Sequence, residues 1–210
     1  MAKGYYLQKV YCHFQIIFML NEKTKRISLS VAKRAALIGV AAGLLEAGKM
    51  ALNAIPNVEV ATLFCALFGY VFGVYGIVSI YLFVGMEILI WGFSSYSMWI
   101  VSYLIYWPLL GVIFWCLGQA KVKNRFILTA VAVVMTAFFG VMTSLIDCGI
   151  LSGFRNDFWQ RFAIYYVRGV PFYITQIVCN FILFITIFPT LLTTTTKLYD
   201  RYITNEKKRL

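Results

Sequence analysis

The 210-residue chain is 61% hydrophobic, 18% aromatic and 13% charged, with a mean hydropathy of +0.80. A soluble domain carries about a quarter charged residues, so this composition excludes an ordinary soluble fold and points to an integral membrane protein. Nineteen basic residues against eight acidic ones give a net charge of +11, but their placement excludes a nucleic-acid surface.

Lys3, Lys9, Lys23, Lys25, Arg26, Lys33 and Arg34 precede the first long apolar run. Lys121, Lys123 and Arg125 form one internal cluster, and Lys197, Arg201, Lys207, Lys208 and Arg209 close the chain. Such clusters mark cytoplasmic loops under the positive-inside rule. Residues 1–32 read as a cytoplasmic or interfacial segment, because YYLQKVYCHFQIIFML is too short to span and mixes aromatics with Lys9 and His13. His13, the single histidine, takes no role. No cleavable signal is expected, since the apolar run 14–20 is short and lacks a small-residue cleavage site.

The fold class expected is an all-α integral membrane protein with six transmembrane helices at about 33–53, 58–75, 77–93, 98–117, 126–149 and 164–188, together a 33–190 domain. Even parity places both termini on one side, and the basic clusters make that side the cytoplasm. The outer side then receives turns at 54–57 and 94–97 and a loop at 150–163, and the inner side a tight turn at 73–76 and the 121–125 loop. Pro189 and the Thr193–Thr196 run mark the end of the last span, leaving 191–210 as a basic cytoplasmic tail.

Two easy motifs fail. Gly43, Gly48 and Lys49 stand at Walker A spacing, but Met50 replaces the magnesium-ligating hydroxyl and the stretch lies inside a helix whose amides are already bonded. The five cysteines are scattered without a CxxC, so neither a disulfide framework nor a metal site is expected. No HExxH, GxSxG or Ser/His pairing appears, so no catalytic residue, metal or cofactor is assigned and the chain is not expected to be an enzyme.

The polar residues inside the spans carry the functional argument, because ionisable groups there cost about 2.5–3.5 kcal/mol each on insertion scales and face cavities or partners. Glu46, Lys49 and Asn53 share one face of helix 1. Glu59, Thr62, Ala66, Gly69 and Gly73 give helix 2 a polar-to-small face, and helix 3 presents Phe83, Glu87 and Trp91. Helix 4 presents Trp99, Tyr103 and Trp107, helix 5 Thr136, Gly140, Thr143 and Asp147, and helix 6 Phe172, Gln176 and Asn180. Carboxylates, amides and rings at one depth describe a small-molecule pocket opening outward. The plainer alternative has Glu46 paired with Lys49, the tryptophans in an interfacial belt and the amides as interhelical glue. Ala32, Ala36, Gly39, Gly43 and Ala47 form a small-residue stripe for close helix approach, within this chain or to a separate membrane subunit.

These residues resemble the substrate-binding S components of energy-coupling factor (ECF) transporters for vitamins and related micronutrients. The resemblance rests on the size, the six spans, the basic KTKRISLSVAKRAAL lead into helix 1, and the Ala32-xxx-Ala36 spacing of the family's AxxxA motif. A subgroup is similar over most of the length: NAIPNVEVATLF at the helix 1–2 junction, Glu87, SYLIYW at Ser102–Trp107, and YYVRGVPFYITQIVCNF at Tyr165–Phe181. That subgroup carries Asp and His where this chain has Tyr173 and Gln176, which leaves the substrate's identity open.

The resemblance implies a plasma-membrane subunit that captures a vitamin-like ligand from outside. It would topple against a coupling T subunit, driven by two cytoplasmic ATPases. It makes Glu46, Asn53, Glu87, Trp91, Tyr103, Trp107, Gln176 and Asn180 ligand candidates, with Arg168 holding a carboxylate or phosphate or pairing with Asp147 or Asp157. Ala32, Ala36, Gly39 and Gly43 become the subunit-docking face. The rivals are a stand-alone secondary transporter or channel, which would show an inverted repeat or a midplane break (Pro108 and Gly169–Pro171 being the places for one), and a non-transport membrane protein. Acidic groups among aromatic rings favour a planar, hydrogen-bonding, cationic heterocycle.

Overall fold

The computed structural model describes residues 30–55, 58, 60–92 and 98–207. Among them are seven helices: α1 (Val31–Ala51), α2 (Ala61–Phe72), α3 (Val74–Trp91), α4 (Trp99–Gln119), α5 (Arg125–Ser152), α6 (Phe158–Thr186) and α7 (Phe188–Lys207). The expected interfacial segment with His13, the Pro56–Asn57 turn, Glu59, the 94–97 turn and the last three residues lie outside the described residues.

Four helices are long and apolar enough to cross a membrane: α3, α4, Arg125–Leu151 of α5, and α6. Their outer faces carry exposed Leu89, Leu104, Ile105, Val134, Phe138, Val167 and Val178, an arrangement suited to hydrocarbon. α1 has the 21 residues of α4 but also Lys33, Arg34, Glu46 and Lys49. α2, at 12 residues, rises about 18 Å against a hydrocarbon core of about 30 Å. Length and composition therefore mark four of the six expected spans.

α2 is the hub. Eight of its residues are buried, and it packs on every other helix. The main pairings are α5 along α6, α2 along α4, and α1 along α3. Glycines make the approach close. A Cβ on Gly69 would overlap the Gly111 carbonyl of α4, one on Gly118 would come 2.5 Å from the Tyr70 carbonyl, and one on Gly76 would overlap the Phe68 carbonyl. Gly73 takes φ +59, which reverses the chain between α2 and α3 in one residue.

Local signals set the helix ends. The α4 C-terminus closes with Lys121 N–H on Gly118 O and Val122 N–H on Leu117 O, a Schellman motif with Lys121 at φ +54. Asn124 caps α5 by accepting from Phe126 N at 2.9 Å. Asp147 near the end of α5 accepts from Met98 N at 2.8 Å and so ties down the start of α4.

Three expectations change in detail. The loop read as 150–163 shrinks, because α5 runs to Ser152 and α6 begins at Phe158. Neither Pro108 nor Pro171 breaks its helix. The 191–210 stretch is helical through Lys207: Pro189 falls in the first turn of α7, where its missing N–H costs no hydrogen bond. Phe188 stacks on Phe184 with centroids 4.6 Å apart and lies 5.8 Å from Phe114. Tyr199 reaches Phe72 at 5.1 Å, and Lys33 lies over the Tyr202 ring at 5.5 Å. The tail is thus packed against α2, α6 and the start of α1. An open apolar groove of about 320 Å³ remains between Ala36, Leu37 and Val40 of α1, Phe72, and Leu198 and Tyr202 of α7.

Candidate functional site

The C-terminal ends of α1, α3 and α5 meet the N-terminal end of α4, as Lys49 reaches Glu87 and Tyr103 and Asp147 reaches Met98. Lys49 is the centre of this end. Its ammonium pairs with the carboxylate of Glu87, which is 1% exposed, and lies 3.5 Å from the Tyr103 hydroxyl and 4.9 Å from that ring's centroid. The plainer Glu46–Lys49 pairing is not what the fold builds, because α1 packs along α3 and presents Glu87 to the lysine. Both Glu46 carboxylate oxygens and Oε1 of Glu87 are buried with no donor among the described residues, and the two carboxylates lie close enough to share a proton.

An aromatic wall continues from the ion pair. Trp99, Tyr103 and Trp107 stand one turn apart on α4, edge to face, with centroids 5.2 and 5.6 Å apart. Phe83 of α3 meets Trp107 at 6.4 Å, and Phe139 of α5 approaches Tyr106 at 4.6 Å and Trp107 at 6.1 Å. Trp107 is 1% exposed, yet its Nε1 donor has no partner among the described residues.

Phe139 links this wall to the α5–α6 seam. One turn before it, Thr136 Oγ1 accepts from Asn180 Nδ2 at 3.0 Å in a fully buried bond. Oδ1 of Asn180 and Oε1 of Gln176 have no partner among the described residues. Tyr173 bonds Ser144 at 3.0 Å, its ring seated against Gly140, where a Cβ would stand 2.8 Å away. A buried polar atom left unpaired costs roughly 1–3 kcal/mol, so natural proteins seldom keep several together without a ligand, ion or water to satisfy them.

The sequence-selected residues divide. Glu87 and Tyr103 come together around Lys49, Glu46 lies against Glu87, Trp107 packs on Tyr103, and Gln176 and Asn180 are buried along α5–α6. Asn53 is exposed in the turn after α1, and Trp91 is exposed at the last residue of α3. Arg168 is exposed on α6, and the carboxylates considered for it are engaged elsewhere, Asp147 with Met98 N and Asp157 with Arg161 at 3.1 Å. Phe172 is also exposed.

Lys49 stands on the Glu46–Asn53 face expected to line the pocket but is not among the ligand candidates, and the structure makes it the centre; Phe139 of the wall is not among the expected residues either. Phe139 lies three residues from Thr136 and had no polar signal. Ala32, Ala36, Gly39 and Gly43 are exposed along the outer face of α1, and a Cβ built on Gly39 or Gly43 meets nothing within 4 Å. Ala41, Ala42 and Leu45 form the buried face instead.

No group of three or more potential metal ligands occurs among the described residues. No family model, curated protein or solved structure matches the chain.

Proposed function

We propose that the chain is the membrane-embedded substrate-binding subunit of an ECF-type importer in the plasma membrane, with six spans and both termini in the cytoplasm. It captures a vitamin-like small molecule from outside and delivers it with a T subunit and two cytoplasmic ATPases. The observation that carries the reading is the cluster of unpartnered buried polar atoms around the Lys49–Glu87 pair, against the Tyr103–Trp107 wall. A helix bundle with no use for a ligand gains nothing from burying two carboxylates against one ammonium and leaving Trp107 Nε1 without an acceptor. The exposed small-residue stripe on α1 supplies a surface for close helix contact with the T subunit. Helices that run unbroken through Pro108 and Pro171 weigh against a stand-alone carrier built on discontinuous helices.

Native mass spectrometry of the protein, gently solubilised from its own host, tests this. The expected result is recovery of a T subunit, two ATPases and a small organic mass that disappears in Glu46→Gln. Gly39→Leu and Gly43→Leu should lose the T subunit while the purified chain stays folded. A solitary 24.0 kDa chain without partners or ligand across several detergents would overturn the reading.

A further inference from the structure

We infer that the cluster between α1, α3 and α4 selects an organic cation bearing a hydrogen-bond acceptor, with Glu46 as its counter-ion and Lys49 as an internal competitor. The inference rests on reading the cluster as the substrate site. Its basis is charge and geometry. Two carboxylates, Glu46 and Glu87, share one ammonium, and Lys49 spends that ammonium on Glu87. Glu46 is left with both oxygens buried, no donor among the described residues, and the like-charged Glu87 carboxylate beside it. A buried carboxylate beside a second one either shares a proton with it or takes a counter-charge, and a ligand cation supplies the counter-charge by displacing that proton.

The Tyr103 face fits the same class. The Lys49 ammonium lies 4.9 Å from its centroid, inside the range at which a cation is attracted by a ring's negative face. Lys49 therefore stands where a ligand cation gains most, and the two compete for Tyr103. Trp107 Nε1, buried and unpartnered, adds a donor that asks for an acceptor on the ligand. An anion fits badly, because Lys49 is already paired, Arg168 is exposed, and the cluster holds two carboxylates against one ammonium.

The test uses the full chain in detergent and three heterocycles of one shape: 1-methylnicotinamide (cationic), nicotinamide (neutral) and nicotinate (anionic). Binding is read by tryptophan fluorescence and calorimetry. The cation should bind saturably and at least about tenfold more tightly than the neutral compound, the scale of one well-placed cation–π and ionic contact. Glu46→Gln should erase that preference. Lys49→Met combined with Glu87→Gln removes the internal pair without leaving a lone buried charge, and it should keep the preference and tighten cation binding.

If nicotinate binds best and loses its affinity in the double variant, the cluster is a site but for anions, and the cation inference falls alone. If none of the three binds saturably, the inference falls together with the reading of the cluster as a charged-heterocycle site. If the preference survives Glu46→Gln in a protein of native helicity and monodispersity, Glu46 is not the counter-ion and the inference is wrong.

Discussion

Gly69→Ala offers the sharpest test of the packing described for α2. The added methyl would overlap the carbonyl oxygen of Gly111 and stand 2.8 Å from its Cα, where ordinary contact begins at 3.4 Å. The obstacle is backbone, so no rotamer change relieves it, and α4 must move by at least the difference between those distances. Overpacking of this kind costs about 1–3 kcal/mol, and a backbone obstacle belongs at the upper end. For a chain of this size 1 kcal/mol shifts the melting point by roughly 2–4 °C, so Gly69→Ala should melt about 6–12 °C lower.

Two further glycines grade the result. In Gly111→Ala the methyl meets the tip of Ile80, 2.6 Å from Cδ1, which can turn aside, so the loss should be smaller. In Gly43→Ala nothing lies within 4 Å, and the gain in helix propensity of up to about 1 kcal/mol should raise stability. Fluorescence-monitored thermal denaturation in one detergent ranks the three. If Gly69→Ala melts within a degree of the native protein, or above Gly43→Ala, the backbone contact between α2 and α4 does not exist as described.

Lys49→Met leaves Glu87 buried without its counter-charge and should cost about 3–5 kcal/mol, much of it restored by adding Glu87→Gln, as a double-mutant melting cycle would reveal. Asp147→Ala removes the acceptor for Met98 N and should cost about 1 kcal/mol, whereas Asp147→Asn should cost less; amide exchange at the start of α4 reports the difference. Lys121→Gly replaces a side chain held at positive φ and should stabilise by roughly 1 kcal/mol in the same melting assay, with no gain expected from Lys121→Ala. Tyr173→Phe keeps the ring between Gly140 and Gly169 but loses the Ser144 bond, for about 0.5–1.5 kcal/mol.

The long apolar helices were legible because their signal is local: 18 to 29 residues of high hydropathy with few charges cannot be much else. The polar cluster was partly legible for a related reason. Glu46 and Glu87 are expensive in such surroundings wherever the helices go, so their presence alone marked them. Their partners were not legible. That Lys49 reaches across to Glu87 rather than along its own helix depends on α1 packing against α3, which no spacing within α1 encodes.

Helical phase misled at the ends. Trp91 stands four residues after Glu87 and Phe172 four before Gln176, yet both are exposed, because a shared face has a buried stretch only as long as the neighbour that covers it. α7 was hidden by composition. FPTLLTTTTKLYDRY has a threonine run and alternating charge that look like a tail, while its burial depends on Phe188 and Tyr199 meeting rings from three other helices.

The glycine contacts also govern which parts can move. Ordinary helix interfaces slide because side chains exchange rotamers as the helices pass. Where Gly69 meets Gly111, Gly118 meets Tyr70 and Gly76 meets Phe68, main chain rests on main chain, and there is nothing to rotate out of the way. α2, α3 and α4 are therefore a single solid keel, with α1 lying against one side and the α5–α6 pair against the other. Under the proposed carrier role, such a keel does not open by swinging its middle helices apart. In that role it would tilt as a whole, or move only the pieces fastened to its flanks.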